Sequence, residues 1–236
     1  MLGIQLKETE ENQYDDNMAI LVGISYATIE NCHIKNASID IETIDGMTVG
    51  GIVADNGEYI KNCTADIDIT VNIASASGGI AAINSSRAQI AKCSNFGNIT
   101  VNQLDSFNAA SVGGIVGANY SIVDRCYNVG NVTCVKSTVG DGVTNAATGG
   151  IVGLCCEKTT SVTNSYNKGT ISGDRLVGGI VGCGGRSVTD TTGTNIYHSY
   201  SIGKMICDDA LKGNIIALNG PGGIVENCYY LRDGVQ

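Results

Sequence analysis

The chain has 236 residues, with 32 Gly against a single Pro, 43% hydrophobic residues and a net charge of −9. Glycine at roughly twice its usual share without proline excludes collagen, and the apolar fraction excludes a disordered Pro/Gly linker. A chain this acidic, with no basic patch to release counterions from phosphates, excludes nucleic acid as a partner.

Residues 1–19 are acidic and lack the apolar core of a signal peptide, so they read as a leader or cap ahead of one domain spanning 20–236. The longest apolar runs, such as residues 18–24, fall far short of the ~20 residues that a membrane-spanning helix needs, so no membrane insertion is expected.

From residue 20 onward the sequence repeats itself. The first run of each repeat is a glycine pair before apolar residues: Gly50-Gly51-Ile52-Val53, Gly78-Gly79-Ile80-Ala81, Gly113-Gly114-Ile115-Val116, Gly149-Gly150-Ile151-Val152 and Gly178-Gly179-Ile180-Val181. Weaker copies occupy residues 21–24 and 213–216. The second run places Ile or Val three residues before a Cys or Ser: Cys32, Cys63, Cys93, Cys126, Ser165, Ser199 and Cys228. The third run centres on Ile69, Ile99, Val132, Ile171 and Met205, introduced in four copies by Gly97, Gly130, Gly169 and Gly203.

Each run is short, rich in β-branched residues and bounded by Gly or Asn, and none shows a sustained helical period. Repeats of this kind predict an all-β fold, a right-handed parallel β-helix (β-solenoid) of about seven coils with three short strands per coil. At the spacing of adjacent strands the rod is roughly 30–35 Å long. Ile and Val are expected to fill a narrow interior, glycines to turn corners at positive φ, and proline to be excluded by the hydrogen bond it deletes.

The combination Gly-Gly-Ile-Val-Gly followed by Val-x-x-Cys-Tyr-Asn-x-Gly-x-Val, clearest over residues 113–132 and 149–171, resembles the GLUG-motif repeat. Members are mostly large exported surface proteins of Gram-positive, often anaerobic, bacteria, including adhesin-like proteins. The resemblance implies an extracellular or cell-surface location within a larger protein, and a rigid non-enzymatic module. It supplies no catalytic residues.

Five of the ten cysteines, Cys32, Cys63, Cys93, Cys126 and Cys228, share one repeat position and are expected to stack as an unpaired structural ladder. No C-x-x-C pair suggests a metal site, and no cofactor-binding motif is visible. Tyr127, Tyr166, Tyr200 and Tyr229 follow the Cys/Ser position and form a second column. That column is either an aromatic strip offered to a ligand or simple stacking between coils.

The longer repeats carry inserts at 102–111, 135–148 and 184–195, the expected sites for contact with a surface glycan or protein. The runner-up readings are a polysaccharide lyase or hydrolase using close carboxylates and a pure structural spacer. The carboxylate pairs are Asp40 with Glu42, Asp66 with Asp68, and Asp208 with Asp209. A solenoid with uncovered ends also suggests end-to-end self-association.

Overall fold

The computed structural model describes residues 5–8, 17–42, 46–102, 110–135, 146–185, 192–207 and 211–231. All regular structure among them is β, and every strand pairing is parallel. Among the described residues no helix is long and apolar enough to cross a membrane.

One coil shows the plan. Ser111–Gly113 lies on a first face, Val116–Asn119 on a second, Ile122–Asp124 on a third, and Tyr127–Asn128 with Val132–Cys134 on a fourth. Counterparts from other coils stack above and below, giving three sheets of seven strands and one of twelve, about six full turns of a β-solenoid. Each glycine-pair run therefore supplies two strands, one on either side of a corner, and the coil has four faces where three runs were read. On the fourth face His33–Ile41 and Thr64–Val71 run unbroken, whereas later coils split the strand in two. Two expected leader segments are placed: Gln5–Glu8 pairs with residues 38–41, and Asn17–Ala19 already belongs to the first face.

Register is constant at the corner glycines, with Gly50, Gly78, Gly113, Gly149, Gly178 and Gly213 partnered in turn. Their role differs from the expectation. Among the described glycines only Gly185 and Gly222 have positive φ. The first glycine of each pair is needed because a Cβ would collide with the carbonyl three residues ahead, that of Val53 for Gly50 and Val181 for Gly178. At the second, a Cβ would collide with the glycine carbonyl of the next coil, as Gly150 would with Gly179. Close approach, not backbone handedness, selects glycine here.

The left-handed corner lies between the third and fourth faces and is made by other residues. Asn31, Asn62, Lys92, Arg125, Asn164, His198 and Asn227 all have φ between 49° and 57°. Asn tolerates that region best. The seven occur at equivalent positions, so the parallel ladder outweighs the local cost at Lys92 and Arg125.

The interior is a set of aliphatic columns. Ile52, Ile80, Ile115, Ile151 and Ile180 are fully buried, as are Ile60, Ile90, Val123, Val162 and Ile196. Each such side chain contributes about 1.5–3 kcal/mol relative to exposure. Between the aliphatic columns run two buried asparagine ladders. Asn56 Nδ2 donates to Asn84 Oδ1 at 2.9 Å, and Asn84 Nδ2 to Asn119 Oδ1 at 2.8 Å. On the fourth face Asn95 donates to Asn128, and Asn128 to Asn167, both at 2.9 Å. Each of these three also donates to the carbonyl two residues ahead, that of Gly97, Gly130 or Gly169. In the preceding coil Ala65 and Ile67 stand where Asn95 and Gly97 stand. There the Ile67 side chain reaches towards Gly51, filling space that Asn95 takes against Gly79 one coil later.

Candidate functional site

The fourth face carries the chemistry that the repeats place together. Each copy reads left-handed residue, Cys or Ser, outward residue, inward residue, and each position has one task. The Cys/Ser side chain caps the left-handed corner by donating to the carbonyl two residues earlier. Cys63 reaches Lys61 O and Cys93 reaches Ala91 O, both at 3.2 Å, while Ser165 reaches Thr163 O at 2.8 Å and Ser199 reaches Tyr197 O at 2.9 Å. A shared need for one small donor explains why Cys and Ser alternate in the column.

The five ladder cysteines lie in one column and all are free thiols. Cys63, Cys93 and Cys126 are buried, while Cys32 and Cys228 at the two ends are half-buried. Neighbouring thiols and burial push Cys63 and Cys93 far above the ordinary thiol value, with Cys93 acting first on Cys63 and Cys126 first on Cys93. Burial, then Cys63, raises Cys32. In a different column burial pushes Cys134 up to about 12. Cys63, Cys93 and Cys134 are thus held as buried, protonated thiols.

The tyrosine column is brought together as parallel rings. Tyr127 and Tyr166 stack at 5.0 Å with planes 2° apart, and Tyr166 and Tyr200 at 5.0 Å and 3°. Tyr229 keeps the backbone register with Tyr200 and is 69% exposed. Burial, followed by the charges of Tyr127 and Tyr200, raises the Tyr166 phenol above its ordinary value. Stacking covers the ring faces of Tyr166 with its neighbours, while Tyr200 at the end of the stack is 40% exposed. In the next coil back the column holds Ser94, and Phe96 two residues on meets Tyr127 edge-on at 5.7 Å.

Beyond Phe96 the strip ends at a shallow cleft of about 610 Å³ lined by His33, Ile34, Lys35, Thr64, Asp66 and Phe96. His33 Nδ1 lies 2.9 Å from Thr64 Oγ1. An acceptor, a cation, an imidazole and an exposed aromatic ring thus share one concavity, a combination suited to hydroxyl-rich ligands. Sequence reasoning did not single out Phe96 or Lys35. The available signal was a Phe two residues after Ser94, which with His33 and Thr64 is one of three copies lacking the Tyr.

The carboxylate pair divides. Asp66 faces the cleft, but Asp68 accepts from the Asn98 backbone N–H at 2.8 Å and from Asn98 Nδ2 at 3.1 Å. The same device recurs as Asn98 Oδ1 accepts from Asn131 N and Asn131 Oδ1 from Thr170 N, both at 3.0 Å. Asp68 is thus one rung of a coil-to-coil ladder. Asp40 and Glu42 remain outside the cleft, and Asp208 and Asp209 lie outside the described residues. Most of the three inserts, 103–109, 136–145 and 186–191, also falls outside the described residues. Among the described residues no group of three His, Cys, Asp or Glu could hold a metal ion.

The fold and its surface define a β-solenoid repeat protein, a rigid module. No family model matches the chain, and no curated protein is similar to it.

Proposed function

We propose that this chain is a non-enzymatic surface module, a GLUG-like β-solenoid segment of an exported bacterial adhesin-like protein that holds glycan- or protein-binding inserts on a stiff rod. The observation that carries this reading is the in-register pairing of the corner glycines from Gly50 to Gly213, against which the inserts and the strip ending at Phe96 stand out as departures from uniformity. Inserts 102–111 and 135–148 both join the fourth face to the first, in adjacent coils. The test is binding of the 1–236 chain to immobilised surface polysaccharides and host matrix proteins, before and after the three inserts are replaced by short turns. Binding lost with the inserts supports the reading; binding that survives places the contact elsewhere.

The cleft favours one second reading, a polysaccharide lyase or hydrolase in which Asp66, His33 and Lys35 act on a bound chain. Turnover on a polysaccharide panel, abolished by Asp66→Ala, would replace the adhesin-like reading with that one.

A further inference from the structure

The outer side of the fourth face changes character along the rod. At the position after each Cys or Ser, six successive coils carry His33, Thr64, Ser94, Tyr127, Tyr166 and Tyr200. Stacked rings fill this row in the last three, and where His33 and Thr64 stand instead the row opens into the cleft. A β-bulge shapes the same spot. Pairing with Thr64–Val71 shifts register between Ile34 and Ala37, and Asn36 takes a left-handed φ of 54°. Bulges re-aim side chains, and this one brings Lys35 to the cleft that Asp66 also lines.

Several polar groups here have no protein partner. Among the described residues neither Lys35 nor Asp66 makes a hydrogen bond or ion pair, and the phenol hydroxyls of Tyr127, Tyr166 and Tyr200 make none either. Tyr127 and Tyr166 are half-buried with their ring faces against each other, so what they offer outward is a row of hydroxyl-bearing edges. Phe96, 43% exposed, joins this row to the cleft through its edge-on contact with Tyr127.

We propose that the cleft and the tyrosine row form one binding site for an uncharged, extended polysaccharide of β-1,4-linked pyranoses lying parallel to the rod axis. Charge selects a neutral ligand: an anion would meet Asp66 and a cation would meet Lys35, whereas a sugar hydroxyl donates to the one and accepts from the other. Phe96 supplies an apolar surface for the C–H face of a pyranose ring. Spacing selects the linkage. The ring centroids repeat at 5.0 Å from Tyr127 to Tyr166 and again to Tyr200. An extended β-1,4-linked chain advances by nearly that distance per sugar, so each coil meets one sugar, while an α-1,4-linked chain coils and loses step. The site uses no residue of the three inserts, so it is independent of what the inserts bind.

The test is isothermal titration calorimetry of the 1–236 chain with cellohexaose, β-1,4-mannohexaose and chitohexaose, with maltohexaose as the coiled control. At least one β-1,4-linked hexaose is expected to bind, more tightly than its own disaccharide, and maltohexaose is not. Phe96→Ala, at an exposed position that leaves the fold intact by circular dichroism, should weaken binding about tenfold, as should Asp66→Asn. Tyr166→Phe keeps the ring stack and removes one hydroxyl. It should weaken the hexaose about threefold and leave the disaccharide unchanged. Replacing the three inserts by short turns should change none of these affinities. The proposal is overturned if no β-1,4-linked hexaose binds at millimolar concentration, if maltohexaose binds equally, or if Phe96→Ala and Asp66→Asn leave binding intact. A hexaose unaffected by Tyr166→Phe removes the tyrosine row from the site. Binding that disappears with the inserts also overturns it, while leaving the surface-module reading standing.

Discussion

Asn128→Ala removes the centre of the buried ladder on the fourth face. Asn128 is fully buried and makes three bonds: it donates to Gly130 O at 2.7 Å and to Asn167 Oδ1 at 2.9 Å, and accepts from Asn95 Nδ2 at 2.9 Å. Each bond contributes about 0.5–1.5 kcal/mol net, and a buried group stranded without a partner costs about 1–3 kcal/mol more. Asn95 Nδ2 keeps Gly97 O, but Asn167 Oδ1 and Gly130 O lose the donor that Asn128 supplied. The expected loss is therefore about 3–5 kcal/mol. Urea denaturation followed by circular dichroism measures it, with the m-value checking that the same surface is exposed. A loss under about 1 kcal/mol would show that water replaces the side chain, and the ladder would then be a consequence of stacking and not a cause.

Two other outcomes follow from the described contacts. Ala65→Asn alone should destabilise the rod by crowding Ile67, while Ala65→Asn with Ile67→Gly should recover stability by giving the unpartnered Asn95 Oδ1 a donor. A double-mutant cycle without favourable coupling would refute that account. Asp124 is pushed up by burial, yet hydrogen bonds from Asn164, Thr163 and Arg125, with the Arg125 charge, hold it below the usual carboxylate range. Its stabilisation is therefore present above the unfolded value of about 3.9 and lost as pH falls through the lower folded value. Asp124→Asn should cost about 1–2 kcal/mol at neutral pH and flatten the acid limb of the stability profile, as read by thermal melts from pH 2 to 7.

The stacking of coils was legible because every level must present an apolar residue at the same point, so Ile60, Ile90, Val123 and Ile196 announce themselves by spacing. Corner chemistry was less legible. Glycine at Gly50 signals positive φ from sequence, yet the crowding that selects it comes from Val53 and the next coil, which only the fold reveals. Lys92 and Arg125 gave no turn signal at all, since the ladder forces them into a region that their type does not favour. Asn128 was visible as a repeated residue after Tyr127, but its burial and its ladder with Asn95 and Asn167 exist only once the coils are stacked. The cleft was hidden because His33, Asp66 and Phe96 belong to three coils and share a surface only once those coils are stacked.

The constant register also makes length a whole-number property. Deleting residues 114–149 joins Gly113 to Gly150 and brings Ser111–Gly113 against Leu176–Gly178, a pairing of the kind each already makes. Asn95 then faces Asn167, and Phe96 meets Tyr166, so the ladder and the aromatic strip close over the excised turn. A gene encoding such a rod shortens or lengthens by unequal recombination between its own repeats, and reach becomes heritable in steps of about 4.8 Å.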